Sequence, residues 1–438
     1  MIIYRYVLLG ISAFLLIAYT IFGLGVDLTP VSFVFVIVAN IYMILRSRRN
    51  FLLFIVAFII FFCNYSIIYA NYTDAIVNVF TIPLSEQSFV CSLNILTLFN
   101  ILLFWFVRWD YVPTGFKENV FVEGDRYNRV ILFLIYALLV PIFFLGFTIP
   151  EVEGQRGTPS TAYEYSANLF LLFFYYSGNN KLHTRIGLGL VGVFSLQSLV
   201  FGGRIEAIQF LLVAYIMLFM HKISMTKVLI AMGGVFVLMS IIGVVRGELL
   251  SGNADVGTIL SSLAKSGFAL DTAYSAYYTS ESFIYVLDRF TFHETIIFFW
   301  EFVKSVFIGT NPDMLLTSIS EEYVKHYGGG LMPFYFYFYL GVIGIVVSAF
   351  IVSLYLNIVI NLNCYTSGFF KCLSIWVLST TFRWYLYTPL PLLRGVLFLT
   401  IAYYAFAYLH YQINRLSIFQ YISNGEGRSI KLDNESVN

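Results

Sequence analysis

Long apolar runs alternate with short polar breaks along most of the chain. The runs fall at about residues 4–25, 31–45, 51–70, 88–107, 130–149, 163–177, 186–201, 205–220, 228–245, 334–356, 372–387 and 394–412. Many approach the roughly 20 residues that a helix needs to cross the hydrocarbon core of a bilayer. The breaks carry turn and stop residues, as at Asp27 to Pro30, Arg46 to Asn50, Gly178 to Arg185 and Thr388 to Pro391. The pattern predicts an all-α, polytopic integral membrane protein with about twelve transmembrane helices. The first run starts at Tyr4, is long for a signal-peptide core and is followed by no small-residue cleavage site. It is therefore expected to stay as a span.

One interval departs from this rhythm. Arg246 to Pro333 is too long for a structureless connection, so it should contain short helices of its own. Leu260 to Tyr278 is one candidate. Thr295 to Ile308 is apolar but short, and Glu301 and Lys304 interrupt it, which favours an interfacial or re-entrant helix over a span. The expected organisation is an N-terminal bundle of about nine spans (1–245), a large loop (246–333), C-terminal spans (334–412) and a tail (413–438).

Composition agrees with a membrane protein. Hydrophobic residues make up 59%, charged residues 11%, and mean hydropathy is +0.82. A soluble domain carries about a quarter charged residues. The four cysteines, Cys63, Cys91, Cys364 and Cys372, lie in or beside apolar runs without metal-ligand spacing. They are expected as buried thiols, with no disulfide, metal or cofactor. The net charge of +1 hides an asymmetry. With the N-terminus inside, sixteen of the twenty-five Lys and Arg residues fall on the inner side, among them Arg46, Arg48, Arg49 and Arg108. The positive-inside rule then places both termini in the cytoplasm and the large loop outside.

Six arginines fall against that rule, outside or near the outer ends of spans: Arg156, Arg204, Arg246, Arg289, Arg383 and Arg394. Ionisable groups at membrane depth cost about 2.5 to 3.5 kcal/mol each on insertion scales, and persist where they face a cavity or a partner. The plain alternative for any one of them is snorkelling or a salt bridge. As a group they suit an anion, because the guanidinium fork donates two parallel hydrogen bonds to phosphate oxygens. Arg204 follows Gly202-Gly203 at a hairpin tip and Arg246 stands in Arg246-Gly247-Glu248. Arg394-Gly395 follows the Pro389 to Pro391 turn, and Arg383 lies deepest, inside a run. Acid–base candidates are Glu248, Glu294 and His326. His326 precedes Gly328-Gly329-Gly330, which lacks the Lys-Ser/Thr of a phosphate-binding P-loop. Tyr335, Tyr337 and Tyr339, and loop tyrosines such as Tyr277 and Tyr323, suit either a membrane interface or a sugar face.

Together these features resemble the Wzy-type O-antigen polymerases, which join oligosaccharide repeat units. The resemblance covers the layout of nearly the whole chain. Locally it rests on Gly202-Gly203-Arg204 with Glu206, on Arg246-Gly247-Glu248, on Gly328 to Pro333 leading to Gly341 and Gly344, and on Arg394-Gly395. It implies a metal-independent glycosyltransferase in a bacterial inner membrane, with one large periplasmic loop. The growing glycan would move from its undecaprenyl pyrophosphate to the non-reducing end of a new lipid-linked unit. Arg204, Arg246, Arg383 and Arg394 would hold the pyrophosphate, with Arg289 as a further substrate contact. Glu248, Glu294 or His326 would take the acceptor proton. The implied partners are undecaprenyl-pyrophosphate-linked oligosaccharides, membrane lipids and a chain-length regulator protein, with no nucleic acid. The competing expectation is a lipid-linked oligosaccharide flippase. That class favours short loops and two similar halves, neither of which appears here.

Overall fold

A computed structural model describes residues 2–73, 84–111, 127–148, 158–178, 180–219, 224–250, 255–309, 314–326, 328–361 and 367–423. The described chain is all-helical apart from a two-residue ladder pairing β1 (Phe147–Thr148) with β2 (Thr158–Pro159). Its first helices are α1 (Ile2–Phe22), α2 (Thr29–Ser47), α3 (Phe51–Thr73), α4 (Glu86–Phe106) and α5 (Arg129–Phe144). After the ladder come α6 (Thr161–Tyr165), α7 (Ala167–Ser177), α8 (Lys181–Val200), α9 (Arg204–Phe219) and α10 (Met225–Leu250). The region of the expected loop adds α11 (Val256–Ser266), α12 (Asp271–Leu287), α13 (Phe292–Phe307) and α14 (Leu316–Glu321). The chain continues through α15 (Met332–Leu340), α16 (Val342–Ile360), α17 (Gly368–Ser379), α18 (Thr381–Leu386) and α19 (Leu390–Ser423).

Seven of these helices, α1, α2, α3, α4, α10, α16 and α19, are long and apolar enough to cross a membrane. α5 and α17 are apolar but shorter. This is the make-up of a membrane-embedded protein. The runs expected as single spans at 334–356 and 372–387 are each broken. Gly341 adopts φ +59° between α15 and α16, and Thr380 caps α17 where α18 begins. The run at 163–177 becomes two short helices, α6 and α7. Helix α10 runs to Leu250, so Arg246 and Glu248 are helical and the loop starts later than expected.

α4 is central. It packs against α1, α2, α12, α15 and α16. Its start is set by a capping box, in which the Ser85 hydroxyl accepts from the Ser88 N–H and Ser88 reaches back to the Ser85 N–H. Polar side chains recur along it at Asn94, Thr97 and Asn100, all fully buried. Their spacing of three puts them close to one face. The Asn94 amide donates to the carbonyls of Leu24 and Val26, at 2.8 and 2.7 Å, and its oxygen accepts from Tyr19 and Ser32. The Asn100 oxygen accepts from Asn40 on α2 (3.0 Å) and Asn64 on α3 (3.1 Å). Tyr385 on α18 closes the group by donating to the Asn64 oxygen at 2.6 Å. Amide bonds of this kind hold membrane helices together where lipid supplies no hydrophobic drive between them. Cys63, Cys91 and Cys372 are buried, as expected, and Cys364 lies outside the described residues.

The large-loop region does contain helices. The expected helix at 260–278 is two, α11 and α12, separated by Gly267 and Phe268, both at positive φ. α13 is amphipathic and packs against α15 and α19. α12 lies on α3 and α4. There the Glu281 carboxylate accepts from the Ser88 hydroxyl (2.9 Å) and the Leu84 N–H (3.1 Å) at the start of α4. Burial pushes the Glu281 carboxyl up to about 7, against the lowering effect of these donors.

Candidate functional site

The site grows from the broken segments. Irregular backbone at membrane depth is tolerated where it is buried in protein or lines a cavity. α18 is only six residues long, and Arg383 sits in it with a buried side chain. Its Nη2 donates to Glu164 Oε1 on α6 at 2.6 Å, and its Nη1 reaches Glu206 Oε1 on α9 at 3.4 Å. Glu206 is buried behind the guanidinium, whereas Glu164 is half-buried beside it. One cation is thus fixed between two carboxylates from different helices.

Arg394 stands in the first turns of α19. Its Nε donates to the Ser305 carbonyl of α13 at 2.7 Å, and its Nη2 donates to the same oxygen. Its Nη1 has no protein partner among the described residues. The next residue, Gly395, lets α19 lie directly on Trp376. A Cβ there would come within 2.4 Å of the indole ring. The Arg-Gly pair therefore combines a cation with the close helix contact that positions it.

Arg383 and Arg394 line one pocket of about 250 Å³. Glu164, Glu301 and Thr388 contribute polar walls, and Tyr165, Tyr335, Tyr339 and Tyr387 contribute rings. Tyr335 and Tyr339 are four apart on α15 and so share a face. The α13–α14 region closes the other side through Phe302, Ser305 and Leu315 to Thr317. The glycine run 328–330 explains part of this shape. All three residues adopt positive φ, and Gly330 N–H donates to the Leu386 carbonyl at 3.0 Å. A side chain at Gly329 would meet that carbonyl at 3.2 Å, so glycine lets the loop lie against the end of α18 at the pocket wall.

The other expected site residues lie elsewhere. Arg204, at the start of α9, donates to Asp271 (2.7 Å) and Thr272 (3.1 Å) on α12 and to the Met239 carbonyl (3.3 Å) on α10. It fastens three helices together. Arg289 is exposed and stacks over the rings of Tyr285 and Tyr323, at 5.8 and 4.7 Å. Glu248 accepts from Ser262 at 2.6 Å, joining α10 to α11. Glu294 is the third residue of α13 and completes a capping box with Thr291, accepting its N–H at 2.7 Å and its hydroxyl at 2.8 Å. These donors hold its carboxyl below the ordinary range. His326 is buried directly behind the pocket wall. Its Nδ1 accepts the Gly328 N–H (3.1 Å), so Nε2 carries the proton and donates to Ser320 Oγ at 2.7 Å. Burial pushes its imidazole down to about 4, which keeps it neutral. None of these five lines the pocket. The side chain of Arg246 lies outside the described residues, as does Arg156.

Two acids of the Arg383 cluster were not singled out by sequence as site groups. Glu164 opens an apolar run, and the rule that flagged Arg383 as costly at depth applies equally to it. Glu206 stands two residues after Arg204 in the sequence, yet it faces Arg383. Among the described residues no group of three or more His, Cys, Asp or Glu side chains is placed to hold a metal ion. The arrangement therefore offers fixed guanidinium charge, two partly exposed carboxylates, Glu164 paired with Arg383 and Glu301 paired with Lys304, and several aromatic faces. No family model matches the chain, and no curated protein or solved structure matches it.

Proposed function

We propose that this protein is a metal-independent membrane glycosyltransferase that polymerises undecaprenyl-pyrophosphate-linked repeat units at the periplasmic face of a bacterial inner membrane. The observation that carries this reading is the meeting of Arg383, Arg394 and Glu164 in one aromatic-lined pocket formed by broken helices. Charge of this kind is retained at membrane depth chiefly where it serves a ligand or ion path.

The acceptor hydroxyl oxygen attacks the anomeric carbon of the donor glycan. The bond from that carbon to the pyrophosphate oxygen breaks, and the lipid pyrophosphate leaves with the electron pair. Negative charge develops on the leaving oxygens, where Arg394 Nη1 donates and the fixed charge of Arg383, its fork held by Glu164 and Glu206, adds electrostatic stabilisation without reorganising. The acceptor proton passes to the Glu164 carboxylate. Glu164 takes the base role in preference to Glu248, Glu294 and His326, because it alone among these lines the pocket. Glu206 acts behind Arg383 as a positioning residue. The tyrosine rings offer faces for the sugars, and the termini are cytoplasmic.

The test is to incubate the purified protein with a lipid-pyrophosphate-linked repeat unit and resolve products by size. The wild type yields a ladder. Glu164→Gln and Arg394→Gln each slow it by about 10²- to 10³-fold. Wild-type rates in both variants would remove this pocket from the mechanism. No ladder, with the intact lipid-linked unit crossing liposome membranes, would make the protein a flippase.

A further inference from the structure

A second pocket, of about 210 Å³, lies at the far end of the bundle. It is lined by Arg5 and Leu9 of α1, Tyr42 and Arg46 of α2, Phe104 and Trp105 of α4, and the turn through Trp109 and Asp110. The first pocket adjoins α15, which touches the opposite end of α4 at Cys91. The 21 residues of α4 span about 31 Å at 1.5 Å per residue, close to the thickness of a hydrocarbon core. The two pockets thus sit near opposite membrane surfaces.

The donors of this second pocket converge and are incompletely used. Arg46 Nε donates to the Tyr42 hydroxyl at 2.8 Å, and the guanidinium lies over the Tyr42 ring at 5.3 Å. Arg46 also reaches Asp110 at 3.9 Å, and that carboxylate is the more exposed partner. Tyr42 is only 8% exposed, and its hydroxyl proton has no acceptor among the described residues. Arg5 is exposed, with no ion pair or hydrogen bond among them. Two guanidinium groups and a buried hydroxyl proton therefore face a cavity with one partly solvated carboxylate at its rim. The indole N–H groups are satisfied elsewhere, Trp105 on Ser12 and Trp109 on the Leu103 carbonyl, which fixes the aromatic walls.

We infer that this pocket binds the phosphate of an anionic phospholipid from the surrounding leaflet. Two guanidinium forks and a hydroxyl match phosphate oxygens. The lipid source follows from α1, which exposes Tyr4, Tyr6 and Val7 beside Arg5 on the outside of the bundle. Acyl chains can lie along that helix while the phosphate enters between Arg5 and Arg46. Half-exposed Trp105 marks the depth of the headgroups. The site shares no residue with the first pocket and does not depend on its activity.

Native mass spectrometry of the detergent-solubilised full chain, with phosphatidylglycerol against phosphatidylcholine, tests this. The wild type retains phosphatidylglycerol preferentially. Arg5→Gln, at an exposed position with no ion pair or hydrogen bond among the described residues, weakens retention about tenfold. Asp110→Asn strengthens it by removing the competing carboxylate. Equal retention of both lipids, or an unchanged preference in Arg5→Gln and Arg46→Gln, overturns the site. Displacement of the lipid by equimolar soluble glycerol phosphate makes it a free-phosphate site and overturns the lipid assignment.

Discussion

Two buried polar groups within this helical bundle are built on opposite principles. Asn40, Asn64, Asn100 and Tyr385 join α2, α3, α4 and α18 through neutral donors and acceptors, all fully buried. Their spare amide protons go to helix carbonyls, as from Asn40 to Val36 and from Asn100 to Leu96. The group is closed on itself. Arg383, Glu164 and Glu206 join α18, α6 and α9 through charges, and their network opens onto a cavity. Neutral amides cost less to bury and serve to bind helices together. Charges at the same depth are expensive to keep, and here they stand where a ligand would meet them. On the proposed function, the difference separates residues that hold the bundle from residues that meet the substrate.

Substitutions on each side sharpen that separation. The largest effect is expected from Arg383→Ala, which removes the cation that Glu164 and Glu206 share. Transfer falls by at least about 10³-fold. Stability falls by about 3–5 kcal/mol, the usual cost of stripping one partner from a buried pair. Adding Glu206→Gln restores thermal stability but not the product ladder. Full activity in the double variant would show the charged group to be structural too. Asn100→Leu comes next. It removes the acceptor shared by Asn40 and Asn64 and lowers stability by about 1–2 kcal/mol in thermal unfolding. Its transfer rate per folded molecule stays within about twofold, whereas a hundredfold loss would erase the contrast. The smallest effect is expected from Glu294→Ala. Losing the capping box loosens the first turn of α13, seen as faster hydrogen exchange there, with transfer changed by less than about twofold. A large loss of transfer would return Glu294 to the chemistry.

Helix content and membrane character were legible because apolar runs of this length have few other uses. The breaks were less so. Residues 334–356 are apolar on every side, so no change of periodicity marks Gly341, and only the positive φ of the folded chain reveals it. Arg383 and Arg394 stood out by depth and by neighbouring glycine and proline, and they do share a pocket. Glu294 is a candidate base by residue type, although Thr291-Phe292-His293-Glu294 carries the pattern of a capping box. The Arg204–Asp271 pair joins residues 67 positions apart, and no local pattern encodes such a partnership. His326 is a base candidate by residue type and by its place before the glycine run, and its burial and its hydrogen bonds with Gly328 and Ser320 have no mark in the sequence.

The hydrogen bond from Tyr385 to Asn64 has a consequence for how this pocket can diversify. It lies two residues from Arg383, on the same six-residue helix, and moors one wall of the cavity to the middle of the bundle. That wall behaves as an anvil, since shifting it would tear a bond from the amide knot of three other helices. The facing wall is made by Phe302 and Ser305 of α13 and by Met314 to Thr317 at the start of α14. If the pocket receives a glycan as proposed, lineages that change its size or shape would rewrite the α13–α14 face and leave the anvil untouched.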